Sequence, residues 1–520
     1  MKSFNTTAIC VPELHYMVDT TEKMQQIEKL IAHGDYFTIN RARQYGKTTM
    51  MYSLCRRLKS EYLVLLLSFE GLGDEAFSDD EMLVNQFISS VAEYLEETDQ
   101  CTELLDEWSQ PVDAKMKKQD AFDLLSKRIT WFCKNCSKKV VLMIDEVDKS
   151  SDNQVFLHFL GMLRNKYIKR VGNNIPTFWS VILAGVYDVK NMKLKLRPDQ
   201  EKKYNSPWNI AVDFDVDMSF SPKEIATMLQ EYESDPHTGM DITAISEEIY
   251  KYTNGYPYLV SWLCKWMDNS KKIPWTKELL LQAEKAIHKS DSTLLSSVSK
   301  NYENHPDLQK MLNGILYEGK QYTYIKYDPT ISLGSMFGIL REKDNLVQIS
   351  NMIFENSILG LIISKCEQSG LYPNPAKEPF IDNGRLNIVR VLQKFQELMK
   401  TEYRQEDESF LEKQGRLLFL CFIKPIINGT GFYYVEPQTR NNERMDLIIT
   451  YGGEEHIIEL KIWHGEEYRK KGIAQLEEYL DSRNSSKGYL LSFSFLKNKE
   501  YVCRKLDENE TTKDILEVVV

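Results

Sequence analysis

The stretch Arg41-Ala-Arg-Gln-Tyr-Gly-Lys-Thr-Thr-Met50 (RARQYGKTTM) decides the fold of the first part of the chain. The apolar residues 36–39 before it predict a short strand, and the apolar spacing after it predicts a helix. A Gly-Lys-Thr between a strand and a helix is the setting of a phosphate-binding loop, where helix-start amides and a lysine contact phosphate and a hydroxyl binds Mg²⁺. The usual motif has its first glycine at the position of Arg41. The residues predicted to hold the nucleotide are Gly46, Lys47, Thr48 and Thr49.

An acidic strand follows about a hundred residues later, as these loops require. Residues 140–148 read VVLMIDEVD, an apolar strand that ends in Asp145 and Glu146. Asp145 is placed to order the water shell of Mg²⁺, and Glu146 to orient the attacking water. The competing interpretation is a buried strand followed by a solvated acidic turn. Because the two motifs occur in the correct order and setting, we predict that the chain binds and hydrolyses ATP with Mg²⁺.

Length and composition limit the remaining possibilities. The chain has 520 residues, 42% of them hydrophobic, and a net charge of -11. This length predicts several domains, and the negative charge argues against a surface coated with nucleic acid while allowing a local basic groove. The nine cysteines form no disulfide framework, and the pair Cys133 and Cys136 lacks the second pair of a zinc site. The N-terminus has no apolar signal region and no run is long enough to span a membrane, so we expect a cytoplasmic protein with reduced thiols.

The order of helical and strand patterns predicts an α/β multidomain chain. Alternating β and α patterns over residues 1–215 indicate a parallel sheet wrapped by helices. A mostly helical stretch follows at 216–300, which suits a lid. Residues 301–375 mix helix and strand and predict a winged-helix domain and a Pro-rich linker. Residues 376–520 form a further α/β domain.

The first half resembles a known family. The segments HYMVDTTEKMQQIEKLIAHGDYFTINRARQYGKTTM, VVLMIDEVD and SVILAGVYDVKNMK resemble the bacterial AAA-like P-loop ATPases, relatives of the AAA+ and STAND groups. In that family the loop commonly reads R-x-R-x-[YF]-G-K-[TS], without the first glycine. The resemblance implies that Lys47 and Thr48 bind phosphate and Mg²⁺, and that Asp145 and Glu146 form the acidic pair.

Three weaker expectations follow from the same resemblance. Either Arg164 or Arg197 would contact the γ-phosphate, within the subunit or across a homo-oligomer, although arginines more often form ordinary salt bridges. The turn at 252–259 (YTNGYPYL) is similar to the G-x-P turn in the lids of this group, and aromatic packing alone would also explain it. Arg41 and Arg43 are expected to add charge near the nucleotide.

The C-terminal domain carries a second pattern with chemical meaning. Two strands join around Gly452-Gly453, a hairpin signal. Strand periodicity places Glu459 and Lys461 on one face and the apolar residues between them on the opposite, buried face. Asp446 falls at the start of the neighbouring strand. Two carboxylates that converge require a cation, and a nearby lysine stabilises a phosphate oxygen, so the pattern predicts Mg²⁺-dependent phosphodiester hydrolysis. The competing interpretation is an exposed hairpin with solvated side chains.

This arrangement resembles the PD-(D/E)XK nuclease superfamily, which has the restriction-endonuclease-like fold. Asp446 matches the first acid, Glu459-Leu-Lys461 the E-x-K element, and Gln475 the polar residue of the following helix; Met445 replaces the proline that the signature places before the first acid. The resemblance implies that Asp446 and Glu459 are metal ligands. The superfamily often adds a glutamate from its first helix, for which Glu412 is favoured over Glu408, and Glu436 is another acid near the site.

We therefore expect an ATPase whose nucleotide state controls a nuclease domain acting on DNA or RNA, in a setting such as mobile-element or phage defence that rests on domain analogy. The alternative is an ATP-dependent switch or remodeller whose nuclease-like domain binds nucleic acid or protein without cleavage. A small-molecule kinase is disfavoured because no acceptor-binding pattern is present. Expected partners are ATP and nucleic acid, with no membrane, and a homo-oligomer is compatible with the pattern.

Overall fold

The computed structural model describes residues 2–112, 120–147, 154–186, 208–235, 238–316, 320–368, 380–402, 412–427, 431–434, 447–463, 465–483, 485–494 and 500–520. The chain divides into two compact units. The first consists of Met1–Ile287 and Tyr327–Arg341, and the second of His288–Lys326 and Glu342–Val520. The four-part division expected from the sequence stays a prediction.

A four-stranded parallel sheet forms the centre of the first unit. Its strands are β1 (Tyr36–Asn40), β2 (Tyr62–Ser68), β3 (Lys139–Asp145) and β4 (Ser180–Gly185). They lie in the order β1-β4-β3-β2, so one strand separates the loop strand from the acidic strand. All pairs are parallel, and the carboxyl ends of β1, β3 and β4 therefore meet at one edge. This confirms the parallel sheet predicted from the alternating pattern.

Helices cover both faces of this sheet. Alternate strand residues enter two separate apolar cores, one containing Leu63, Leu65 and Leu67 and the other Val64, Val141 and Met143. Because both faces are buried, the strands are continuously apolar rather than alternating. The helices of this part are Thr21–His33, Lys47–Leu58, Asp80–Glu97, Leu105–Trp108, Ala121–Asn135 and Gln154–Asn173, with short 3₁₀ turns at Asp74–Phe77 and Thr102–Leu104.

Four further helices form the predicted lid region: Pro222–Glu233, Ile242–Thr253, Pro257–Asn269 and Lys277–Ile287. The first begins with a capping box, in which Ser221 and Glu224 satisfy each other's backbone amides and Pro222 occupies the first turn. The third begins at Pro257, directly after a turn in which Gly255 has a φ of 71°. A Cβ at Gly255 would overlap the carbonyl oxygen of Phe220, so only glycine allows these backbones to approach.

Residues 288–368 contain the helices Thr293–Asn304, Pro306–Leu316, Pro329–Met336 and Met352–Gln368. The strands β5 (Leu340–Lys343) and β6 (Leu346–Ile349) form a hairpin between the last two helices. Three of these helices precede the hairpin and one follows it. The winged-helix expectation stays a prediction. Before the hairpin, Thr323 makes an isolated antiparallel bridge to Leu346.

A six-stranded mixed sheet forms the centre of the second unit. A small hairpin, β7 (Ile381–Asp382) and β8 (Arg385–Leu386), precedes the helices Ile388–Glu402 and Glu412–Ile427. The large sheet has the order β13-β14-β12-β11-β10-β9. Its strands are β9 (Phe432–Tyr434), β10 (Leu447–Tyr451), β11 (Glu454–Ile462), β12 (Lys487–Phe493), β13 (Cys503–Lys505) and β14 (Asp514–Val519), and the helix Glu466–Ser482 connects β11 to β12.

The pairing within this sheet changes direction at β11. Strands β9, β10 and β11 are antiparallel neighbours, whereas β11, β12 and β14 run parallel. The hairpin around Gly452-Gly453 is confirmed, and both glycines have positive φ. We call the helix Glu466–Ser482 the crossover helix, because it joins two parallel strands of one sheet.

Candidate functional site: a nucleotide loop and a buried Glu-Lys pair

The loop and the acidic strand meet through one short hydrogen bond. Gly46, in the left-handed region with a φ of 79°, turns the chain into the helix that begins at Lys47. The hydroxyl of Thr48, in the first turn of that helix, donates to a carboxylate oxygen of Asp145 over 2.6 Å. Asp145 is the last residue of β3, so the contact spans the carboxyl edge of the sheet. The expected meeting of the two motifs is therefore present in the fold.

Lys47 is buried within the loop. Its ammonium group donates to the carbonyl oxygens of Arg41 and Ala42, each over 3.1 Å, and the side chain is only 5% exposed. These bonds tie the helix start to the beginning of the loop, which lacks its usual glycine. The helix-start amides, with the lysine beside them, form the arrangement that binds phosphate groups.

The acidic pair shows a strained backbone. Glu146 follows β3 with a φ of 55°, a left-handed conformation that is uncommon for a residue with a Cβ. Its amide donates to a carboxylate oxygen of Asp145 over 2.9 Å, which fixes the Asp145 carboxylate beside Thr48. Such strain occurs preferentially at functional sites.

Arg41 is bound by residues outside the nucleotide loop. Its guanidinium donates to the carbonyl oxygens of Asn40 and Val216 over 2.9 and 2.8 Å and stacks 5.4 Å from the ring centre of Phe214. Burial lowers the pKa of Arg41. The guanidinium therefore holds the segment that leads to the lid, and the expectation that Arg41 adds charge near the nucleotide stays a prediction. The side chain of Arg43 is exposed.

The other predicted residues have separate positions. The Thr49 hydroxyl accepts a hydrogen bond from the amide of Cys10 over 3.1 Å, so an N-terminal segment contacts the helix of the loop. Arg164 lies on the helix Gln154–Asn173, and its Nε is buried without a hydrogen-bond partner in the described residues. Arg197 lies outside the described residues. The assignment of the γ-phosphate arginine stays a prediction.

The sequence reading missed the contact that the lid turn makes with the loop. The Tyr256 hydroxyl donates to the carbonyl oxygen of Arg43 over 2.5 Å, and its ring packs edge-to-face on Tyr45 at 4.6 Å. Tyr256 belongs to the turn that resembles the G-x-P turn of the family's lids, for which aromatic packing was the alternative explanation. The Gly-Tyr-Pro pattern was the available signal, but a partner more than two hundred residues away could not be inferred from it.

The second candidate site is centred on Glu459 and Lys461 in β11. The two side chains share a face, as predicted, and the Lys461 ammonium lies 2.9 Å from a carboxylate oxygen of Glu459. The expectation of a single buried face is wrong, because Glu459 is fully buried and the crossover helix covers its side of the sheet. A Cβ at Gly472 of that helix would lie 3.1 Å from the Lys461 side chain, so Gly472 gives the lysine its space.

The remaining nuclease-like residues are described only in part. Gln475 lies on the crossover helix with its amide oxygen buried and without a hydrogen-bond partner among the described residues. Asp446 lies outside the described residues, while its chain neighbour Leu447 pairs with Ile458, which precedes Glu459. Glu412 begins the helix Glu412–Ile427, but its side chain is outside the description. Glu408, Glu436 and the linker residues 369–379 are also outside it.

Across the described ranges, no group of three or more His, Cys, Asp or Glu side chains is arranged to hold a metal ion. The Cys136 sulfur lies 3.7 Å from that of Cys101, and burial raises the pKa of Cys101 to about 12. Within the part of the chain that the structure describes, no helix is long and apolar enough to cross a membrane.

The sheet, the loop and the acidic pair define a P-loop ATPase-type protein. A family model described as "AAA-like domain" matches residues 8–358, more than half of the chain, and the chain belongs to this family. The match ends before the six-stranded sheet of the second unit.

Comparisons with solved structures gave several matches, and the following three each have a TM-score below 0.5. A Walker-type ATPase of Pyrococcus abyssi is 10% identical with a TM-score of 0.46, covering 68% of this chain and 99% of its own. The ORC2 protein of Aeropyrum pernix, in ADPNP and ADP complexes, is 13% identical with a TM-score of 0.37, covering 69% and 98%. The ORC1 protein of the same organism, in complex with DNA, is 10% identical with a TM-score of 0.29, covering 66% and 93%. Comparison with curated proteins gave no match.

Proposed function

We propose that the chain is an ATP-hydrolysing protein whose nucleotide state controls a Mg²⁺-dependent nuclease domain at its C-terminal end. The hydrogen bond between Thr48 and Asp145 carries the first part of the proposal, because it places a hydroxyl and a carboxylate together beside the phosphate-binding helix start. Hard oxygen donors of this kind suit Mg²⁺. When bound, the ion neutralises charge that develops on the phosphates.

The residues of the loop have distinct roles in the proposed hydrolysis. The amides at the start of the helix hold the phosphate oxygens, and the Lys47 ammonium adds positive charge to the same group. Glu146 follows Asp145 directly, and its carboxylate orients the attacking water. Thr48 and Asp145 are the residues that would hold Mg²⁺.

The nuclease part of the proposal is supported by element order and by one ion pair. A helix, three antiparallel strands, the crossover helix and a parallel strand follow one another from residue 412 to 493. This order matches the core of the restriction-endonuclease-like fold that the sequence resembles. Glu459 and Lys461 lie together at 2.9 Å on the central strand of this unit. Asp446 and Glu459 would hold Mg²⁺, and Lys461 would stabilise charge on the cleaved phosphate.

One observation favours the alternative, a nucleotide-dependent switch that binds without cleavage. Glu459 is fully buried and paired with Lys461, as an ion pair with a purely structural role would be. Removing one partner of such a pair is strongly destabilising, by about 3–5 kcal/mol, whatever the function of the domain. A loss of activity in a Lys461 variant must therefore be separated from a loss of folding.

The test uses the purified full chain with DNA and RNA substrates, with and without ATP and Mg²⁺. The proposal expects cleavage that requires both, and its loss in Lys47→Ala, Glu146→Gln, Asp446→Ala and Lys461→Ala. Lys471→Ala is the matched control, because Lys471 is an exposed lysine of the crossover helix. Circular dichroism identifies variants that lose their fold.

Negligible cleavage by the wild-type chain under every condition overturns the nuclease proposal. Cleavage that is equal in wild type and a folded Lys461→Ala removes Lys461 from the chemistry. Nucleotide-dependent binding of nucleic acid without cleavage supports the alternative.

A further inference from the structure

Three consecutive residues of the nucleotide loop are held by chain segments outside the loop. Arg41 donates to the carbonyl oxygen of Val216, as described above. Ala42 is buried, and the carbonyl oxygen of Arg43 accepts from Tyr256. The loop backbone is therefore fixed from the lid side before any phosphate contact is considered.

Gly338 packs against Ala42 of this loop. It has a φ of 72°, and a Cβ added to it would lie 2.6 Å from the Cβ of Ala42 and 3.6 Å from the ring of Tyr256. The Ala42 Cβ is attached to the loop backbone, so it cannot move without moving the loop. Gly338 and Ala42 are therefore closely packed, so that a side chain at position 338 would displace the loop.

Tyr256 lies next to both Arg43 of the loop and Gly338. It is almost fully buried, and burial raises the pKa of its hydroxyl well above the usual range, so the hydroxyl stays protonated and donates to Arg43. The turn that carries Tyr256 is also bound to the Gly338 segment, because Arg341 donates to the side-chain oxygen of Asn254 over 3.0 Å. The loop, the lid turn and residues 338–341 thus form one contiguous group.

The position of Gly338 in the chain gives this group a further meaning. Gly338 belongs to Tyr327–Arg341, which packs with the first unit, whereas the residues on both sides of this segment belong to the second unit. The segment contains the helix Pro329–Met336 and is connected covalently at both ends to the unit that carries Glu459. The segment is therefore a part of the first unit that is continuous in sequence with the second unit on both sides.

We propose that Tyr256 and Gly338 are positioning residues that sense the conformation of the nucleotide loop and pass it to the segment Tyr327–Arg341. This inference rests on the proposed function, because it requires a nucleotide at Lys47. The segment Tyr327–Arg341 is then the part of the chain that responds to the nucleotide state of the ATPase site.

The test measures hydrogen exchange in the full chain with and without ADP, together with equilibrium binding of ADP. In the wild type, ADP is expected to change the exchange of amides in Tyr327–Arg341. In Tyr256→Phe, which removes only the hydroxyl and its hydrogen bond to Arg43, the exchange response of the segment at saturating ADP is expected to be lost.

Gly338→Ala tests the second contact. It combines an unfavourable φ with the overlap on Ala42, so Gly239→Ala is the matched control: Gly239 has a φ of 73° and open space around its Cβ position. Gly338→Ala is expected to lose the exchange response, and Gly239→Ala to keep both the response and the ADP affinity. If Gly338→Ala does not fold, Tyr256→Phe decides the matter.

The outcomes distinguish a failure of this inference from a failure of the proposed nucleotide site. Absence of ADP binding in the wild type overturns the nucleotide site, and with it this inference. ADP binding that is lost in Lys47→Ala, with an unchanged segment in the wild type or an equal response in Tyr256→Phe, overturns the inference and leaves the site intact.

Discussion

Replacing Arg41 by the glycine that the usual motif has at this position should destabilise the protein. In Arg41→Gly the chain loses two charge-assisted hydrogen bonds, to Asn40 and Val216, and the stacking on Phe214. A hydrogen bond to a charged group contributes about 1.5–3 kcal/mol, and an added glycine costs roughly 0.5–1 kcal/mol in backbone entropy. Because Arg41 is partly exposed, we discount these terms for solvent and expect about 2–4 kcal/mol less stability for the first unit.

Arg43→Gly is the matched control, since it makes the same substitution two residues later at an exposed side chain. It should lose only the backbone term, about 0.5–1 kcal/mol. Tryptophan fluorescence follows the first unit well, because seven of the eight tryptophans precede residue 288. We expect the thermal midpoint of Arg41→Gly to lie roughly 2–6 °C below that of Arg43→Gly. Equal midpoints for the two variants would refute the structural role assigned to Arg41.

Two further predictions concern other parts of the chain. Gly255→Ala should destabilise the first unit by more than about 3 kcal/mol, because the added Cβ would overlap a backbone oxygen. Gly239→Ala should cost only the strain of a positive φ, about 1 kcal/mol. Urea unfolding measures both losses of stability, and equal losses would contradict the close approach of the backbones at Gly255. In the second unit, hydrogen bonds from Arg469 and a neighbouring arginine lower the pKa of Glu510 from its ordinary 4.5 to about 2. A carboxylate with a lowered pKa in the folded state stabilises above its unfolded pKa, so this contribution should be lost as the pH falls from 4.5 toward 2. Urea midpoints between pH 5 and pH 3 should fall less steeply in Glu510→Gln than in the wild type, with Glu508→Gln, an exposed neighbour, behaving like the wild type.

Much of the fold of the first unit could be predicted because its sequence signals are local. The continuous apolar strands, the helix after Gly46 and the acidic residues that end β3 each follow from short-range periodicity, and parallel strands bring their carboxyl ends to one edge. The contact between Thr48 and Asp145 follows from that topology rather than from spacing.

The contacts that fix the loop could not be predicted in the same way. Tyr256 and Gly338 lie more than two hundred residues from the backbone they touch, and a single sequence contains no measure of such proximity. The apolar pattern also failed at Glu459, because alternation predicted burial only for the opposite face and Glu459 is fully buried. The crossover helix covers that face, and only the three-dimensional packing of Gly472 against Lys461 shows it.

ATP turnover by the purified wild-type chain and by Lys47→Ala in the presence of Mg²⁺ tests the central claim most directly. We expect hydrolysis in the wild type and its loss in the variant, because the Lys47 ammonium supplies positive charge to the phosphates in a loop that lacks the usual first glycine. Equal turnover in the two proteins would contradict it.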